Sequence, residues 1–214
     1  MRKITRNTLT ATAVITAGLG LTALPAHAVD PWTVTPGGAI TGNQTRPLVA
    51  TDTTTGANIV CTVSTASGTA ASGSGLPGAG IAQLSSVAFS TPGNPSSWCT
   101  GPVGIVVKVT ATGLPWSFNA ATYAGGVTTG TLTGVKSTIH GSDECDATVA
   151  GPGTSAGTIS GTYTNSTATL AVSGGNLEVK TADADCDPAL INVGDKITLT
   201  GAYKVNPALT ITHP

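Results

Sequence analysis

The chain has 214 residues, of which 40% are hydrophobic, 4% aromatic and only 9% charged, with 28 glycines and 13 prolines. Ordinary domains are about one-quarter charged, so polarity here rests on Thr, Ser and the backbone. Beyond residue 28, six basic residues stand against ten acidic ones and Arg46 is the single arginine; this excludes nucleic acid and anionic membrane surfaces, which draw on clustered Lys and Arg.

Arg2, Lys3 and Arg6 open the chain, residues 8–24 carry no charge, and Ala26-His27-Ala28 follows as a small-x-small pattern. This predicts a secretory signal peptide over 1–28 and a secreted domain over 29–214. The uncharged run is short for a membrane anchor and rich in Thr and Gly. Nothing after it is long and apolar enough to cross a bilayer as a helix.

Strand-like runs then recur with Gly, Pro, Asn or Ser between them. The pattern predicts strands over 32–35, 48–53, 58–64, 83–90, 104–112, 116–120, 127–139, 146–150, 158–164, 167–173, 176–181, 196–205 and 208–212. In Lys196-Ile197-Thr198-Leu199-Thr200 the apolar residues fall on one face and the polar ones on the other. No window after the signal shows a 3.6-residue period. The expected fold is all-β, an antiparallel β-sandwich or barrel-like structure.

Four cysteines occur, Cys61, Cys99, Cys145 and Cys186. In an exported chain an even count predicts two disulfides. Cys61–Cys99 and Cys145–Cys186 are favoured because their separations, 38 and 41, are alike. A faint duplication supports this pairing. The stretch from Lys108 to Gly113 after Cys99 matches that from Lys196 to Gly201 after Cys186, and corresponding points lie 84 to 89 residues apart. The sequence thus predicts two similar halves, about 48–120 and 127–214, each with one disulfide.

Six acidic residues flank the second cysteine pair: Asp143, Glu144, Asp146, Asp183, Asp185 and Asp187. Carboxylates crowded together repel, and a hard, oxygen-preferring ion such as Ca²⁺ would relieve them. The bland reading is two solvated acidic loops; the spacing matches no EF-hand. His140, Ser142 and Asp143 lie close in sequence, but a catalytic triad needs an arrangement in space and an oxyanion hole. No catalytic residue is assigned. Trp98 and Trp116 are expected in the core, and Trp32, in a Pro-flanked segment, as a docking strand; all three are candidate binding aromatics.

Several stretches carry a resemblance: Asp30-Pro31-Trp32-Thr33-Val34-Thr35-Pro36-Gly37-Gly38, Cys99-Thr100-Gly101-Pro102-Val103-Gly104, Gly113-Leu114-Pro115-Trp116, Gly130-Thr131-Leu132-Thr133-Gly134-Val135, Tyr163-Thr164-Asn165-Ser166-Thr167 and Gly174-Gly175-Asn176-Leu177. On these the chain resembles a group of exported actinobacterial, Streptomyces-type proteins. The resemblance implies secretion and a β-rich fold, and supplies no catalytic residues. In size, Thr/Gly richness and two disulfides it also resembles neocarzinostatin-like apoproteins, whose disulfides close shorter loops.

Together these readings lead to a non-enzymatic extracellular or cell-wall-associated structural or interaction protein, with an unidentified protein or cell-wall partner and no cofactor beyond the Ca²⁺ considered. The alternatives are a binder of a small apolar ligand between sheets and a hydrolase using the acidic cluster.

Overall fold

The structure, a computed structural model, describes residues 31–214. The signal peptide expected over 1–28 lies outside the described residues. The strands are β1 (Trp32–Thr35), β2 (Gly38–Asp52), β3 (Asn58–Cys61), β4 (Val63–Ala70), β5 (Gly73–Leu76), β6 (Ala82–Ser90), β7 (Cys99–Thr100), β8 (Val106–Thr112), β9 (Trp116–Ala124), β10 (Val127–Gly141), β11 (Asp146–Ala150), β12 (Gly157–Thr164), β13 (Thr169–Ala182), β14 (Lys196–Asn206) and β15 (Thr210–Thr212). Among the described residues no helix is long and apolar enough to cross a membrane.

The main sheet closes into an antiparallel barrel of eight staves. Four staves, β2, β10, β13 and β14, are single long strands. Each of the other four is broken into two consecutive strands: β3 and β4, β6 and β7, β8 and β9, β11 and β12. Every stave pairs with its successor in the chain. The last, β14, returns to β2 with Ile197 opposite Asp52 and Asn206 opposite Thr41. The topology is therefore up-and-down. Of the two architectures expected, the barrel is found, and closure leaves its staves no open edge.

Period-2 alternation sorts the side chains. On β14, Ile197, Leu199, Tyr203 and Val205 face the interior, while Lys196, Thr198, Thr200 and Lys204 alternate with them on the outside. The outer face carries hydroxyls that pair across strands, Thr122 with Thr129 at 2.5 Å and Thr148 with Thr181 at 2.7 Å. Apolar inside and polar outside is the reverse of a lipid-embedded barrel.

Also on the outer face, Glu178 of β13 sits opposite Lys196 of β14. It bonds the Lys196 ammonium and, at 2.6 Å, that of Lys180. Hydrogen bonds from Lys180 and Lys196 hold its carboxyl down from the usual 4.5 to about 2. A carboxyl depressed in the folded state stabilises fully above its unfolded pKa and loses that contribution as pH falls. The thermal midpoint at low salt is therefore expected to drop between pH 4.5 and about 2. Glu178→Gln should remove part of that drop, and identical pH profiles for the two proteins would refute it.

The two ends differ. One is plugged by a three-stranded sheet in which β1 pairs with β15 and β5. Trp32, Val34, Leu209 and Ile211 are buried beneath it. Tyr163 fastens the plug to the barrel: its hydroxyl donates to the Leu209 carbonyl at 2.8 Å and accepts the Leu209 N–H at 2.9 Å. The Asn165 side chain does the same for Ile211. The other end, the mouth, carries the loops 53–57, 101–105, 142–145 and 183–195. Both disulfides are there, Cys61–Cys99 between β3 and β7 and Cys145–Cys186 between the flanks of β11 and β13.

The two expected halves each carry one disulfide, with separations 38 and 41. Residues 38–124 supply the first four staves and 127–206 the last four, and each disulfide joins the second and third stave of its half. The matching segments 108–113 and 196–201 lie on the fourth and eighth staves. The halves share a single interior, because β2 pairs with β14, and β8 and β9 pair with β10.

Candidate ligand cavity inside the barrel

The inward side chains leave the barrel incompletely filled. A cavity of about 200 Å³ runs along the axis. Its middle is lined by Leu84, Phe89, Trp116, Phe118, Leu132 and Leu199. Leu209 and Ile211 bound it at the plugged end, and Asp52, Ile105, Asp143, Leu190 and Ile191 at the mouth. Small residues account for the space: Gly42, Ala50, Ala66 and Ala82 stand at inward positions where larger side chains would meet across the axis. Filling with side chains is the norm for eight staves, and small lining residues convert such an interior into room for one small ligand.

Polar atoms in this lining are few. Tyr203 shares a 2.9 Å hydrogen bond with Ser64, both buried, and burial pushes the Tyr203 hydroxyl above its usual pKa. Asp52 is the exception. Period 2 places it on the face of Leu48 and Ala50, so a carboxylate ends an otherwise apolar row. Its Oδ1 accepts the backbone N–H groups of Thr54 at 2.8 Å and Thr55 at 3.0 Å. Its Oδ2 is buried and receives no N–H or hydroxyl donor.

Asp195 is a second buried carboxylate at this end. It stands in the turn just before β14, within hydrogen-bonding reach of Asp52. Burial raises its pKa, but hydrogen bonds from the backbone and side chain of Asn192, from Thr54 and from the Asp52 carboxyl outweigh that, and its carboxyl lies below the usual range. Its Oδ2 accepts the Asn192 N–H at 2.7 Å. The loop 183–195 leans over the mouth, held where Thr55 donates to the Leu190 carbonyl at 2.9 Å.

The six acidic residues considered for Ca²⁺ all lie on mouth segments, but they do not form a cage. Asp146 bonds His140 at 2.9 Å. Asp183 and Asp187 accept backbone N–H groups within their own loop, from Asp185 at 3.2 Å and Ala189 at 2.8 Å. Asp143 folds over Gly141, where a Cβ would stand 2.0 Å from its Oδ1. Glu144 occupies a left-handed turn position with φ 66°. Among the described residues the one group of three ligand-type atoms within 4.8 Å is Cys145, Asp183 and Cys186. Both of its sulfurs are spent in a disulfide, so the donor set does not suit a hard cation.

The tryptophans separate. Trp116 lines the cavity and donates its indole N–H to Thr112 at 3.0 Å. Trp32 is buried in the plug, 4.7 Å from the His213 ring; its segment docks on its own chain. Trp98 is half-buried, edge-on to His140 at 5.4 Å. Ser142 does not join His140: its Oγ accepts the Val106 N–H at 3.2 Å. Phe89, Phe118, Tyr203 and Asp52 are site residues that were not singled out from the sequence, although Asp52 on an apolar face was a readable signal.

No family model, curated protein or solved structure matches the chain.

Proposed function

We propose that the chain is exported, loses residues 1–28, and acts outside the cytoplasm as a non-enzymatic binder that holds one small apolar molecule inside its barrel. The cavity of about 200 Å³ with its Trp116, Phe89 and Phe118 lining carries this reading. An engineered apolar cavity of about 150 Å³ takes up benzene, so a single ring or a short alkyl chain matches this space. Two disulfides at the mouth and a plug at the far end keep the cavity pre-formed, which lowers the ordering cost of binding.

Filling the space tests it. Ala66→Leu is expected to abolish uptake of small apolar ligands, followed by Trp116 fluorescence, and to leave stability unchanged or raised. Undiminished uptake would sink the assignment. A second reading, an interaction module for a protein or cell-wall partner, draws on Val103 and Val193, 84% and 64% exposed on two opposite mouth loops. Val103→Asp with Val193→Asp should then abolish capture by cell-wall material.

A further inference from the structure

We propose, building on the cavity reading above, that the preferred ligand carries a protonated amine at one end of its apolar body, and that it sits with this ammonium against Asp52 at the mouth. At the mouth two buried carboxyls, Asp52 and Asp195, lie within hydrogen-bonding reach of each other. Asp52 is 5% exposed, lines the cavity, and receives no N–H or hydroxyl donor at Oδ2 while Oδ1 is satisfied by Thr54 and Thr55. Two carboxyls so placed cannot both ionise without repulsion, and the pair that shares one proton still carries a buried negative charge that calls for a cation.

The surroundings sharpen the choice. Asp195 lies within hydrogen-bonding reach of Asp52, and Asp143 lines the same end of the cavity. Among the described residues that line the cavity there is no Lys, Arg or His. The mouth is thus negative and the far end, at Leu209 and Ile211, apolar. An ammonium group supplies three donors and the compensating charge. A carboxylic acid of the same length would bring a like charge to Asp52, and a neutral alcohol would bring one donor without the charge.

Octylammonium, octanol and octanoate form a matched series to titrate into the mature protein, followed by Trp116 fluorescence and backbone NMR shifts. The amine is expected to bind about tenfold or more tighter than the alcohol, the factor a charge-assisted hydrogen bond supplies, with the acid weakest. Asp52→Asn should erase that margin while leaving octanol affinity within about twofold. Equal binding of all three, or a margin that survives in Asp52→Asn, overturns the amine assignment and leaves the apolar cavity standing. Binding of none removes the cavity reading itself. If Asp52→Asn does not fold, the ranking on the unaltered protein still decides.

Discussion

Replacing Cys61 and Cys99 together by alanine is expected to lower the unfolding free energy by about 4 kcal/mol, the loop-closure entropy for a bridge spanning some 38 residues. For a chain of this size the thermal midpoint should fall by roughly 10 °C. The physical origin lies in the unfolded chain. The 28 glycines make that chain conformationally rich. The bridge also joins β3 to β7, whose own pairing is a single register position, Val60 opposite Thr100. The second bridge spans 41 residues, so Cys145→Ala with Cys186→Ala should cost a similar amount. Its second effect differs, because Cys186 anchors the loop that carries Leu190 and Ile191 over the mouth. Release of a ligand from the proposed cavity site should quicken in that variant and not in the first. Denaturant titration of both double variants measures the stability term, and a loss below about 1 kcal/mol in each would contradict the chain-entropy account.

The pairing of those cysteines was legible because similar spacings, 38 and 41, and an internal echo pointed the same way. So were β1 and β11, found at the expected residues, and the strand at 146–150 shows why: a short alternating run bounded by turn residues has one reading. The stretch 38–47 was not recognised as strand. Its Gly42, Gln44, Arg46 and Pro47 interrupt the apolar pattern, and tertiary pairing with β4 and β14 overrides that local weakness. Two expected strands, 167–173 and 176–181, are one strand β13, because Gly174 at φ 64° and Gly175 at φ 122° form an irregular step that keeps the ladder going instead of ending it. Barrel against sandwich could not be read, since both need the same alternation and only the pairing of the first stave with the last distinguishes them. The acidic cluster was visible as composition. Its dispersal into separate turn hydrogen bonds depends on the three-dimensional course of two loops.

Trp32→Ala is expected to destabilise the protein by about 3–5 kcal/mol, the range for emptying a buried Trp site. Trp32 is among the largest fully buried side chains, at 2% exposure. Its surroundings have little freedom to collapse into the void. Gly78 approaches so closely that a Cβ there would stand 2.8 Å from the indole nitrogen, and the His213 ring packs on the other side at 4.7 Å. The plug is short: β1 has four residues and β15 three. Few backbone hydrogen bonds hold them, so burial of the indole supplies much of what docks the plug. In Trp32→Ala the amides of β1 and β15 should exchange with solvent at least tenfold faster, while those of β10 and β13 change only with global stability. Trp32→Phe, which keeps an aromatic in the site, should recover part of the loss. If exchange instead quickens uniformly along the staves, the plug is not a separable unit, and Trp32 contributes to the barrel as a whole.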